Sequence, residues 1–259
     1  MKNEFMNFEV TPDYASPLLD TGFKQLLSLE GEGGDAVAVS FLNALVPDFQ
    51  ANPIKSLKSA PTYMRLTEGD ESRPLTMDFN AVNNRGESII IEIQLKRHIG
   101  FDERALFYAA RTYSNQINEE KKQGQSFPGS WFVHLKKTYS IQVVGYNSAG
   151  AIGIENTHMK DTLIDRVAAH PMKDGDFLKH YVMTDRFSGQ EIDYLQLIQL
   201  ELPRAEAIMN LFPPANGFSL QQWWLSIFNH SKEYTSEYIE QLYKEGIMPN
   251  EIYSGLGRM

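Results

Sequence analysis

A chain of 259 residues with 42% apolar side chains is long enough to bury one large core, or a domain with a helical extension. The absence of cysteine excludes a disulfide framework, thiolate-held zinc and cysteine nucleophiles, and a formal charge of -9 argues against broad non-specific attraction to nucleic acid. The run Met1 to Tyr14 carries acids and has no apolar centre, and no apolar run reaches membrane-spanning length, so a soluble, cytoplasmic protein with no membrane partner is expected.

In chain order, Pro17 to Leu29 has the apolar spacing of a short helix, and the glycine-rich Glu30 to Gly34 ends it. Val37, Phe41, Leu42 and Leu45 form an apolar stripe that predicts a second helix over Asp35 to Val46, stopped by Pro47. Lys55 to Pro74 is polar and irregular, and at most one strand is expected there.

Met77 to Gln94, MDFNAVNNRGESIIIEIQ, reads as a hairpin with two carboxylates and a glutamine on one face. Strand alternation separates Asp78 and Asn80 from Met77, Phe79 and Ala81, and groups Glu92 with Gln94 and Lys96. Asn83-Asn84-Arg85-Gly86 has the chemistry of a type I turn closed by a left-handed glycine, which pairs Asn83 with Glu87. Counting along that ladder puts Asp78 opposite Glu92, and directly opposed Cβ atoms lie roughly 4.5–5.5 Å apart. Two acids that close repel unless a positive charge sits between them, so the pair points to a metal ion. The alternative is a solvated hairpin face; the apolar density of Ile89 to Ile93, typical of a covered central strand, weighs against it.

A helix is predicted over Phe101 to Gln123, with Arg104, Tyr108, Arg111 and Asn115 in one angular sector that either faces the carboxylates or forms an exposed stripe. Gly124 to Gly129 reads as a loop and Thr138 to Tyr146 as a buried strand. A second hairpin is expected from Phe177 to Phe187 and Glu191 to Leu202, turning at Ser188-Gly189. Three helices follow, Arg204 to Phe212, Ser219 to Ser231 with Ser219 as N-cap, and Glu233 to Glu245. This order indicates an α/β fold, a mixed sheet flanked by helices. The histidines (His98, His134, His158, His170, His180, His230) show no i, i+4 pair, and Trp223, Trp224 and Phe228 read as helix packing. Lys96-Arg97-His98, Lys121-Lys122 and Lys136-Lys137 are either solvated charges or a basic rim.

Several of these pieces occur together in a known order: Asp20-x-x-Phe23-Lys24, Phe41-Leu42-Asn43-Ala44, Asp78, Glu92-Ile93-Gln94, Phe101-x-x-Arg104, Tyr108, Tyr113, Gln116 and Glu201-Leu202-Pro203. The series resembles the PD-(D/E)xK nuclease family transposases, also called the Rpn or recombination-promoting nuclease family. The resemblance implies a restriction-endonuclease-like mixed central sheet over residues 1–203, with residues 204–259 as a helical C-terminal extension packed on it. It implies Mg²⁺ or Mn²⁺ held by Asp78 and Glu92, with the Ile93 backbone carbonyl as a further oxygen, and hydrolysis of a DNA phosphodiester. Gln94 falls where the wider superfamily has a lysine; a glutamine orients water or a phosphate oxygen but supplies no charge. Lys96 and Lys24 are the candidate cations, with a surface lysine as the alternative for each; Arg104 and Tyr108 are expected next to the site, positioning the phosphate or the carboxylates, and Gln116 belongs to the same surroundings. The expected function is a metal-dependent DNA endonuclease supporting recombination or transposition, working as a homodimer where both strands are cut. A catalytically silent member kept as a binding or assembly module is the alternative.

Overall fold

The computed structural model describes residues 13–30, 34–64, 75–96, 98–122, 131–146 and 177–259. Three helices open the described chain, α1 (Asp20–Leu26), α2 (Gly34–Leu45) and α3 (Pro47–Ala51). Pro47 does more than stop α2. With Val46 as N-cap it occupies the first turn of α3, where its missing N–H leaves no bond unmade. Five strands follow, β1 (Leu57–Ser59), β2 (Tyr63–Met64), β3 (Leu75–Thr76), β4 (Phe79–Asn83) and β5 (Ser88–Gln94). The expectation of at most one strand in Lys55 to Pro74 is corrected: β1 pairs with β4 and β2 with β3. These pieces are two or three residues long, too short to show a period.

After α4 (Phe101–Lys122) come β6 (Thr138–Val144), β7 (Leu178–Thr184) and β8 (Glu191–Glu201), then α5 (Leu202–Ile208), α6 (Leu220–His230), α7 (Ser236–Lys244) and α8 (Asn250–Leu256). The loop expected over Gly124 to Gly129 lies outside the described residues. The last helix, α8, had no counterpart among the sequence expectations.

Six strands form one mixed sheet in the order β1-β4-β5-β6-β8-β7. β5, β6 and β8 run parallel to one another, and the outer pairs are antiparallel. The central strands are covered on both faces: β6 is buried throughout and β5 over its first five residues, where the apolar run Ile89 to Ile91 lies. On one face Phe79, Ala81, Ile89, Ile91, Tyr139, Ile141, Val143, Ile198 and Leu200 join the large core built with α1, α2 and the C-terminal helices. Phe41 of α2 meets Trp224 and Phe228 of α6 with ring centroids 5.5 Å apart in each case, and Trp224 Nε1 donates to Ser40 Oγ. Helix α6 is held at its start by a reciprocal capping box between Ser219 and Gln222.

The other face lies under α4 and is more polar. Ser140 Oγ donates to the Ala105 carbonyl of α4, and Met77, Ile90 and Tyr108 make a small apolar cluster beside it. Glu92, Gln142 and Gln199 sit side by side across β5, β6 and β8, all three buried. No helix among the described residues is long and apolar enough to cross a membrane.

Candidate active site

The hairpin that carries the two acids is set by its turn. Asn83 N donates to Glu87 O, Gly86 N donates to Asn83 O, and Gly86 has φ 80°, the left-handed geometry that the closing glycine supplies. The Asn83 side chain accepts from Arg85 N and Glu87 N, which locks the same three-residue loop from outside. The resulting register pairs Phe79 with Ile91, one step short of Asp78 and Glu92, as the count from the turn requires.

At Asp78 the chain leaves the ladder. Met77, which a continued register would set against Ile93, instead donates its N–H to Thr62 O. The Ile93 N–H is satisfied by the Asp78 carboxylate, whose Oδ2 accepts it at 2.9 Å. Asp78 therefore replaces a lost backbone acceptor, and its carboxylate is fixed at the end of β4 beside β5. Burial pushes its pKa up; the Ile93 hydrogen bond opposes this, and the charge of Asp20 adds to the rise.

Glu92 is the more perturbed of the pair. It is only 3% exposed, and its Oε1 is buried without a hydrogen-bond partner. Burial first and the charge of Asp78 second push its pKa up to about 7, against the pull of Arg104. An unsatisfied buried polar atom costs roughly 1–3 kcal/mol, more when charged, so this oxygen lacks something that the fold does not provide.

Arg104 stands over the pair from the first turns of α4. Its Nη2 lies 3.4 Å from Glu92 Oε2 and 3.4 Å from Gln94 Oε1, and its guanidinium rests over the Phe101 ring at 5.2 Å. Gln94, the last residue of β5, turns its amide nitrogen the other way, donating to the Lys96 carbonyl at 2.8 Å. The structure thus brings Asp78, Glu92, Gln94 and Arg104 together.

A family model described as PD-(D/E)XK nuclease family transposase matches residues 17–174. That is more than half of the 259 residues, and it holds both acids and Arg104. The chain belongs to this family. The searches of curated proteins and of solved structures returned no match. The six-stranded mixed sheet with flanking helices is consistent with the PD-(D/E)XK fold, and the family typically uses a divalent metal. Glu201-Leu202-Pro203, the last part of the resemblance, lies beyond the matched span and closes β8 into α5, where Glu201 is buried against Lys179 at 2.6 Å.

The other residues of this PD-(D/E)XK family member singled out from the sequence are placed differently. Lys24 forms an ion pair with Asp20 at 2.6 Å within α1, and its charge lowers the pKa values of both Asp78 and Glu92. Lys96 lies past the end of β5, in a bend and exposed, so strand alternation no longer governs its side chain. Tyr108 is buried and its hydroxyl donates to the Thr76 carbonyl at 3.4 Å, bracing the segment that leads into Asp78. Gln116 does not join the group. It clamps Lys136 through both its amide atoms, at the start of β6, whereas Glu92 is level with Gln142 further along that strand. Lys137 is likewise engaged elsewhere, with Asp48 and Asp193. Asp20, quoted in the sequence series but not assigned to the site, bears on it through its charge; its place in the Asp20-x-x-Phe23-Lys24 motif was the available signal.

The donor set fits a hard divalent cation. Two carboxylates face one region, one oxygen of Glu92 is buried without a partner, and the charge of Asp78 adds to the raised pKa of Glu92. Among the described residues no group of three or more His, Asp or Glu side chains is assembled that could hold a metal ion. Mg²⁺ takes few protein ligands in such sites and keeps several waters, so two carboxylates are an adequate protein share.

Proposed function

We propose that this chain is a metal-dependent DNA endonuclease, with Asp78 and Glu92 holding Mg²⁺ or Mn²⁺ and Gln94 orienting water or a phosphate oxygen. The observation that carries the reading is the Glu92 carboxylate, buried with Oε1 unpartnered beside a second acid, in a chain of the nuclease family. A bound divalent ion would neutralise the developing phosphate charge and lower the pKa of a water nucleophile. The remaining work falls to the protein: the Asp78 carboxylate is kept in place by the Ile93 N–H, and α4 shields Glu92 from solvent. The Ile93 carbonyl is a further oxygen for the ion.

Residues 1–203 form the nuclease unit in this reading, and residues 204–259 a helical extension on it. DNA is the partner, in the cytoplasm, with a homodimer where both strands are cut, in support of recombination or transposition. The test is nicking of supercoiled plasmid with and without Mg²⁺ or Mn²⁺, comparing the wild type with Asp78→Ala and Glu92→Ala. Cleavage that depends on metal and disappears in both variants supports the assignment; cleavage that survives both substitutions refutes it. The second reading, a catalytically silent binding or assembly module, draws on the neutral Gln94 and the charge of -9. Metal-independent DNA binding without any nicking would favour it.

A further inference from the structure

Catalysis of phosphodiester hydrolysis needs a positive group beside the phosphate, and Gln94 does not provide one. Its nitrogen is committed to the Lys96 carbonyl at 2.8 Å, so the atom it turns to the interior is the acceptor Oε1. Flipping the amide would set an oxygen against that carbonyl and a nitrogen against Arg104, which fixes the assignment. Lys24 is paired with Asp20 one helical turn away, and Lys96 lies exposed past the end of the strand.

We propose that Arg104 is the cation that holds a non-bridging phosphate oxygen beside the carboxylate pair, in the place that Gln94 leaves neutral. The inference rests on the nuclease reading above. Nη2 is shared between Glu92 Oε2 and Gln94 Oε1 at 3.4 Å each, contacts too long for a closed bidentate grip. The side chain is 42% exposed while Glu92 is buried, so the guanidinium is open to solvent beside the buried acid. The ring of Phe101 sets the plane of the guanidinium without consuming a donor. Five fixed N–H donors match phosphate oxygens, and the Nε–H and the two N–H groups of Nη1 remain for one when Nη2 stays with Glu92 and Gln94.

In the step served, the oxygen of water bonds to phosphorus and the bond from phosphorus to the leaving sugar oxygen breaks. That oxygen gains a proton from solvent, and the attacking water loses one to solvent. Arg104 neither gives nor takes a proton; it binds the oxygen on which negative charge accumulates. A purely structural ion pair would instead serve only to hold Glu92.

Two readouts separate these roles: plasmid nicking, and Mn²⁺ affinity by titration calorimetry. They are applied to the full chain as wild type, Arg104→Ala, Arg104→Gln, and Arg104→Ala combined with Gln94→Lys. Loss of one such donor slows a reaction by roughly 10²–10³-fold, and that is the loss expected for Arg104→Ala and Arg104→Gln. Mn²⁺ affinity should be unchanged or tighter, because a cation competing for Glu92 has been removed. Adding Gln94→Lys should recover about tenfold or more of the lost rate, since it returns a charge to the same place. Arg104→Gln keeps a long side chain on Phe101, so a folding defect confined to the alanine variant does not decide the matter. Nicking at the wild-type rate in both single variants overturns the inference and leaves the nuclease reading standing. So does a rate loss that follows weakened Mn²⁺ binding and is not recovered by Gln94→Lys. A wild-type protein that binds Mn²⁺ but never nicks DNA brings down both.

Discussion

Replacing Glu92 with glutamine removes one charge and leaves the volume and the carbonyl oxygen that faces Arg104. The folded-state pKa of Glu92 is raised from 4.5 to about 7, mainly by burial and then by Asp78. A raised carboxylate pKa means that the folded chain binds more protons than the unfolded chain between those values, so stability falls as pH rises through that window. The penalty is complete above pH 7 and absent below about pH 4.5. One pKa unit is worth 1.36 kcal/mol, so the charged form costs up to about 3 kcal/mol at pH 8. Glu92→Gln should therefore stabilise the metal-free protein by about 2–3 kcal/mol at pH 8, or roughly 5–10 °C in Tm for a chain of this size, and by little at pH 5. Mg²⁺ should act in the opposite sense, stabilising the wild type at pH 8 and leaving the variant nearly unchanged, because binding adds to folding stability only where the site exists. Urea unfolding at pH 5 and pH 8, with EDTA or with Mg²⁺, measures all of these. A gain equal at the two pH values, or a variant that Mg²⁺ stabilises as strongly as the wild type, would refute the argument.

Gly22→Ala pits helix propensity against sterics: alanine is favoured in a helix by about 1 kcal/mol, but a Cβ on Gly22 would lie 2.3 Å from the Ser16 carbonyl oxygen. The clash is with backbone, so a net loss of about 1–3 kcal/mol is expected in a thermal melt. Ser219→Ala removes the Oγ that accepts from Gln222 N and leaves the Ser219 N–H bond to Gln222 Oε1, so it should cost about 1 kcal/mol by urea titration, with nicking unaffected. Tyr108→Phe loses only a 3.4 Å bond to Thr76 and should change stability by about 0.5–1 kcal/mol while retaining the nicking rate, which distinguishes bracing from catalysis.

What was legible in the sequence is what short-range chemistry decides. The turn Asn83 to Gly86 is closed by contacts among its own residues, so the register of β4 on β5 could be counted from it. The same holds for the Ser219 cap, the apolar run of β5 and the strand pattern of β6. The strands β1 and β2 and the helix α8 were not legible, because they are too short for periodicity and are held by partners distant in the chain. Gly255 of α8, for instance, lies against Leu26 and Val37.

The site divides along the same line. Angular position on α4 grouped Arg104 with Tyr108, but only packing decided that the first meets the carboxylates and the second braces Thr76. Gln116 is twelve residues further on, about 18 Å along a helix at 1.5 Å per residue, and meets the opposite end of the sheet. Pattern and turn chemistry brought Asp78 and Glu92 to one level, since side-chain direction on a strand is a local property. The burial of Glu92, the bond from Ile93 to Asp78 and the meeting of Arg104 with Glu92 came from the tertiary structure. Desolvation and long-range charge depend on what covers a residue, and the covering elements come from elsewhere in the chain.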